Sequence, residues 1–140
     1  MIAFLDTSSL IKLYHKEQNS ELILQNLQLV NTIYLSELAK LEFRSAFFRK
    51  VRTKDIEEAK AKAVISLFER DSVKFEWINI DSMLIDKAKD LLFKYGKKGL
   101  RTLDSIQFAS VLILQENDCL CFTEDKLLQE LFKDANLKTY

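Results

Sequence analysis

Apolar residues follow two rhythms along the chain, short unbroken runs and longer stretches in which they recur every three or four positions. The first rhythm predicts buried strands and the second amphipathic helices. Met1 to Leu5 is a run of the first kind, and Asp6-Thr7-Ser8 then supplies cap formers ahead of Leu10, Ile11, Leu13 and Tyr14. This predicts strand, turn and helix. A second helix is expected over Ser20 to Leu29, a strand over Thr32 to Leu35, and a helix capped by Ser36 running to about Arg52. Ile56, Ala59, Ala63, Leu67 and Phe68 mark another helix ending near Asp71, and Phe75 to Ile80 reads as a strand. Asp81 or Ser82 caps a helix carrying Leu84, Ile85, Ala88, Leu91, Leu92 and Tyr95, closed by Gly96. A loop from Lys97 to Arg101, a helix from Thr102 to Glu116, a strand from Cys119 to Thr123, a helix from Asp125 to Phe132 and a last strand at Leu137 to Tyr140 complete the series.

Short apolar strands alternating with amphipathic helices predict βαβ units, hence a mostly parallel sheet with helices on both faces. Residues 1–140 are expected to form a single domain, long enough to bury an ordinary core without staples. No apolar run approaches the roughly 20 residues that cross a bilayer, and no basic segment precedes the first acid, so neither a membrane span nor a secretory leader is expected. Cys119 and Cys121 stand two apart in an apolar stretch, poorly placed for a disulfide, which favours the reducing cytoplasm. Lys plus Arg number 21 and Asp plus Glu 21. That balance speaks against a protein that holds nucleic acid by an overall positive field, so the positions of the charges matter more than their sum.

In open parallel sheets functional groups gather beyond the carboxyl ends of the strands. Asp6 directly follows the first strand and Asp125 lies two residues past the Cys119 to Thr123 strand. Glu42 stands about two turns into the helix after the second strand, in line with Leu38, Leu41, Ser45 and Ala46 on a stripe expected to face inward. Asp104 lies in the first turn of a helix whose inner positions are expected to be Leu103, Ile106, Ala109, Ile113 and Leu114. Four carboxylates on one edge repel each other unless a cation neutralises them. All-oxygen ligands suit Mg²⁺ or Mn²⁺, which bind phosphate oxygens and activate water.

At these residues the chain resembles the PIN-domain ribonucleases, in particular the VapC-type toxins of bacterial toxin–antitoxin pairs. The matching segments are Phe4 to Tyr14, Ser36 with Glu42 in Leu41-Glu42-Phe43-Arg44-Ser45-Ala46, Leu100 to Ala109, and Phe122 to Leu128. The resemblance implies a three-layer α/β/α PIN-like fold with a five-stranded, mostly parallel sheet. It further implies a metal-dependent endoribonuclease, transfer RNA as the first substrate to test, a VapB-like antitoxin, and a homodimer. Carried over by position, Asp6, Glu42, Asp104 and Asp125 match the acidic quartet, and Thr7, Ser8 and Thr123 match its supporting hydroxyls. Glu124 adds an acid beside Asp125, and strand alternation turns Asp125 toward the site if Thr123 faces it.

The basic residues cluster as Arg44, Arg49, Lys50, Arg52 and Lys54, and as Lys94, Lys97, Lys98 and Arg101. The second cluster leads into Asp104, which makes Arg101, Lys98 and Lys97 the expected phosphate contacts. His15, the only histidine, is expected to be an exposed helix-end residue, and Trp77 with the ten Phe residues to be core, an exposed patch of Phe43, Phe47 and Phe48 for a dimer or antitoxin contact being the alternative. Two other readings fit the same acids: a PIN-like module that binds RNA or protein without cutting, and a phosphatase with Asp6 as nucleophile. The second lacks the acid expected two positions on, where Ser8 stands.

Overall fold

The computed structural model describes all 140 residues. Five strands, β1 (Ile2–Leu5), β2 (Thr32–Ser36), β3 (Glu76–Ile78), β4 (Cys119–Phe122) and β5 (Lys138–Thr139), form one sheet in the order β3-β2-β1-β4-β5. Every pairing is parallel, with Phe4 opposite both Tyr34 and Cys121. Side chains alternate across each central strand. Phe4, Cys119 and Cys121 enter one apolar layer, and Ala3, Leu5, Leu120 and Phe122 the other. Because both faces are covered, the central strands read as unbroken apolar runs.

Helices α1 (Thr7–Tyr14), α2 (Ser20–Leu27), α3 (Ala39–Arg52) and α4 (Glu58–Asp71) contribute to the layer around Phe43, Phe47 and Phe68. Helices α5 (Ser82–Tyr95), α6 (Thr102–Leu112) and α7 (Lys126–Asp134) contribute to the layer around Phe108 and Phe132. The result is a three-layer α/β/α fold with an all-parallel sheet. No helix is long and apolar enough to cross a membrane. The chain leaves β1 toward β2 on one side and reaches β4 on the other, so the strand order reverses at the β1/β4 junction. In such sheets the crevice at the carboxyl ends of that junction is where ligands bind.

The structure departs from the sequence expectations at several element ends, each for a local reason. The amide of Glu37 still donates to the Ile78 carbonyl at 3.0 Å, so the chain remains in the sheet there. Ser36 therefore ends β2, its hydroxyl accepting from the Leu38 amide at 3.2 Å, and α3 starts at Ala39. Lys54 is left-handed, with φ 63°, and turns the chain before α4 begins at Glu58. Gly96 closes α5 at the expected position, though not in a left-handed conformation. It keeps a helical φ of −57° and opens a 3-10 turn, and the left-handed residue is Gly99, with φ 109°. Helix α6 ends at Leu112, and β3 covers only Glu76–Ile78.

Two expected helix faces are also corrected. In α3 the core side is Ala39, Phe43 and Phe47, all fully buried, whereas Leu41 and Ser45 are exposed. Phe43 and Phe47 thus form no surface patch. Phe43 stacks on Phe68 at 4.2 Å, within the apolar layer that buries this face of the helix. In α6, Leu103 and Ile113 are exposed while Ser105, Gln107, Phe108, Ala109, Ser110 and Val111 are buried. His15 is half-buried rather than exposed, with its ring edge-on to Phe47.

Candidate active site

Strand β1 ends at Leu5, and the amide of Asp6 still reaches the Phe122 carbonyl at 3.1 Å, which fixes Asp6 at the β1/β4 junction. Its side chain then caps α1. Oδ1 accepts from the Ser9 amide at 3.1 Å and the Ser8 hydroxyl at 2.6 Å, and Oδ2 accepts from the Thr123 hydroxyl. Asp6 is only 4% exposed. Burial pushes its carboxyl up to about 6 and the Glu42 charge adds to the rise, against the hydrogen bonds from Ser8, Thr123 and Ser9 that lower it. A carboxylate with three donors that is still hard to ionise lacks positive charge nearby.

Because α3 starts at Ala39, Glu42 stands in its first turn rather than two turns in. Its Oε1 accepts from the Thr7 hydroxyl at 2.8 Å and from Nε2 of Gln107 at 2.8 Å, and the same Nε2 donates to Thr7 Oγ1 at 3.2 Å. Gln107 closes a triangle across α1, α3 and α6. Sequence reading passed over this residue, because its α6 phase placed Ile106 and Ala109 inward and left Gln107 between them. The available signal was a polar residue one helical turn after Asp104, within reach of the same edge.

Asp104 occupies the first turn of α6, and Asp125 caps α7, its Oδ1 accepting from the Leu128 amide at 2.8 Å. The Asp104 carboxyl is raised by burial, then by the charges of Asp125 and Glu42, and lowered by Arg101. These acids therefore sense one another. Glu124 turns elsewhere, accepting from Asn19 at 3.1 Å and from the Tyr140 hydroxyl. All four acids of the candidate quartet stand at helix N-termini, Asp6 and Asp125 as caps and Glu42 and Asp104 in first turns. The N-termini of α1, α3 and α7 follow strands β1, β2 and β4 onto the same edge, whereas α6 follows α5 and a 3-10 turn, and free amides at such termini favour anions.

No three Asp, Glu, His or Cys side chains are arranged to hold an ion by themselves. Two of the acids are engaged as helix caps, and the carboxyls of Asp6 and Asp104 are raised first by burial and then by the charges of neighbouring acids. An all-oxygen donor set short of positive charge fits a small, hard divalent cation. Among the basic residues expected at the rim, Arg101 lies close enough to Asp104 to lower its carboxyl. Lys98 instead leans toward the Tyr95 ring and the Asp134 carboxylate, and Lys97 sits in the exposed 3-10 turn. From Glu42 a groove of about 950 Å³ runs between α1 and α3, past Ser45 and Ala46, to Arg49 and Arg52. The stripe of α3 expected to face the core is the wall of this groove.

A model of the PIN domain matches residues 3–133 of the chain. No curated protein sequence matches it. Several solved structures share its fold. VapBC2 from Rickettsia felis, bound to a promoter DNA fragment, is 19% identical over 100% of this chain and 98% of that one, with a TM-score of 0.64. VapC20 from Mycobacterium tuberculosis, a toxin that cleaves the sarcin-ricin loop, is 14% identical over 92% and 94%, with a TM-score of 0.67. A FitAcB structure from Neisseria gonorrhoeae is 14% identical over 99% and 96%, with a TM-score of 0.70.

Proposed function

The chain belongs to the PIN-domain family, and from that premise we propose that it is a metal-dependent endoribonuclease, the toxin of a VapBC-type toxin–antitoxin pair. The observation that carries this reading is the gathering of Asp6, Glu42, Asp104 and Asp125 at one sheet edge, where Asp6 and Asp104 feel the charges of their neighbours. The likeness to VapBC2, VapC20 and FitAcB supports it at the level of fold.

Asp6, Asp104 and Asp125, with Glu42 alongside, would hold Mg²⁺ or Mn²⁺. The ion would supply activation of water and stabilisation of charge on the phosphodiester oxygens. The protein's own part is orientation. Ser8 and Thr123 fix both oxygens of Asp6, and Thr7 and Gln107 fix Oε1 of Glu42, leaving Oε2 free of protein donors. That free oxygen is suited to align a water and take its proton as the new P–O bond forms and the old one breaks. Arg101, beside Asp104, is the first candidate to contact a phosphate, with Lys98 and Lys97 farther along the rim.

Transfer RNA is the first substrate to test, with ribosomal and messenger RNA as the alternatives and the sarcin-ricin loop, which a structural neighbour cleaves, as a second probe. The expected partner is a VapB-like antitoxin, the expected assembly a homodimer and the expected compartment the cytoplasm. Purified Asp6→Asn and Asp104→Asn chains should lose RNA cleavage while keeping their far-UV circular dichroism. Cleavage undiminished in either variant overturns the assignment, and RNA binding without any cleavage by the wild type points to a binding module.

A further inference from the structure

We propose that the groove between α1 and α3 binds the phosphodiester backbone of single-stranded RNA flanking the cut, with Arg49 and Arg52 as its phosphate contacts. The inference rests on the ribonuclease reading and extends it to a surface outside the acidic quartet. It starts from the phase of α3. Phe43 and Phe47 turn into the core, which leaves Glu42, Ser45, Arg49 and Arg52 at steps of three or four on the opposite, groove-lining stripe.

At 1.5 Å per residue, Arg49 lies roughly 10 Å and Arg52 roughly 15 Å along the helix from Glu42. A short stretch of single-stranded RNA leaving the acidic edge spans that distance. Between them Ser45 and Ala46 are small, so the groove stays open there.

The ion pairs decide which cations are available. Glu17 takes both Lys12 and Lys50, and Arg44, on another face of α3, pairs with Glu69. Arg49 and Arg52 are exposed and make neither an ion pair nor a side-chain hydrogen bond. Glu17, Asp55 and Glu124 also line the groove, but Glu17 is held by its two lysines, Asp55 accepts from Thr53, and Glu124 accepts from Asn19 and Tyr140. The two guanidiniums therefore keep forked donors free for phosphate oxygens. An acidic peptide is the competing occupant. The repeated charge spacing and the direct run into the acidic edge favour the nucleic acid.

The test uses the full chain carrying Asp6→Asn, so that RNA is not consumed, and a fluorescent twelve-nucleotide single-stranded RNA followed by anisotropy. Adding Arg49→Gln and Arg52→Gln should weaken binding at least ten-fold. It should also flatten the dependence of log K on log salt by about 1.4, from about 0.7 per lost phosphate contact. The charge-matched pair Lys60→Gln with Lys87→Gln, on exposed faces of α4 and α5, should leave affinity within two-fold. In the cleaving chain the arginine pair should raise KM for a long RNA with kcat unchanged.

Equal losses in the two charge-matched pairs overturn the groove. So does an acidic peptide that binds through Arg49 and Arg52 while RNA affinity ignores them. Cleavage by the arginine variant at wild-type KM removes the groove and leaves the nuclease standing. Arginine-dependent RNA binding by a wild-type chain that cuts nothing does the reverse.

Discussion

Replacing Gln107 with Leu separates the stability of the site from its activity. Gln107 is 3% exposed, and its Nε2 serves both Glu42 and Thr7, while its own Oε1 is buried without any partner. Loss of the bond to a charged carboxylate costs about 1.5–3 kcal/mol and loss of the weaker one about 0.5–1.5 kcal/mol. Against this, Leu also removes an unsatisfied buried acceptor, whose burial costs about 1–3 kcal/mol. These contributions nearly cancel, so the melting temperature should move only by a few degrees, roughly the effect of 1 kcal/mol in a chain of this size. Glu42, however, is left with Thr7 as its only donor and is free to swing. A loss of about 1.4 kcal/mol of transition-state alignment is ten-fold in kcat. Steady-state cleavage should therefore show kcat down about ten-fold with KM unchanged, and Thr7→Val on the same background should be non-additive. Full kcat in a folded Gln107→Leu chain refutes the reasoning, as does a kcat loss that tracks the unfolded fraction.

Two further outcomes follow from the same edge. The folded carboxyl of Asp6 stands at about 6, above the ordinary 3.8, so its contribution is complete at low pH and is lost as pH rises through the folded value. Without metal the loss is about 1 kcal/mol between pH 5 and 7, and Asp104 adds to it. Glu17, Asp71 and Asp134 are held low, so their contributions are lost only at more acidic pH and stay nearly flat in this window. Urea titrations in EDTA should show stability falling from pH 5 to 7, and a shallower fall in Asp6→Asn, where only the Asp104 part remains; a wild-type chain equally stable at both pH values contradicts the burial argument. Glu124→Gln should cleave RNA at near wild-type rate, because Glu124 is occupied by Asn19 and Tyr140, whereas Asp125→Asn should lose activity. The opposite order in a cleavage assay would reassign the fourth acid.

The order of elements was legible because both layers bury the central strands, which makes them unbroken apolar runs, and because Asp6 and Asp81 are real side-chain caps. The start of α3 was not. Glu37 still pairs with β3, a tertiary contact invisible in the local pattern, and it moves Glu42 from the second turn to the first. The α3 face failed for a related reason. Leu38, Leu41, Ser45 and Ala46 make as good a stripe as Ala39, Phe43 and Phe47, and the choice between them is made by tertiary packing of Phe43 and Phe47 against Tyr14, His15 and Phe68, with Leu38 buried in either case. In α6 nearly every middle position is buried, which erases the amphipathic signal that would have set its phase and exposed Gln107 as inward. The acids were found because each follows a strand or opens a helix, places where a cap former is conspicuous.

Sequences that specify a fold satisfy their buried polar groups, so departures from that rule locate where something other than stability is served. In this chain the buried side-chain polar atoms without partners are Ser9 Oγ and Gln107 Oε1. Ser9 donates its amide to Asp6, and Gln107 donates its side chain to Glu42. Asp6 is the one carboxylate buried at less than a tenth exposure, and it is raised by that burial with no cation beside it. The rest of the molecule is quiet by comparison. Tyr14 finds Asp71, Tyr95 finds Asp134, and Glu17 finds two lysines. The two unpartnered atoms stand beside acids of one sheet edge, and the hydrogen-bonded but hard-to-ionise Asp6 stands with them, on residues that the motif pattern did not all select. Unsatisfied polarity thus singles out the same edge as the spacing of the acids, from physics that makes no use of family resemblance.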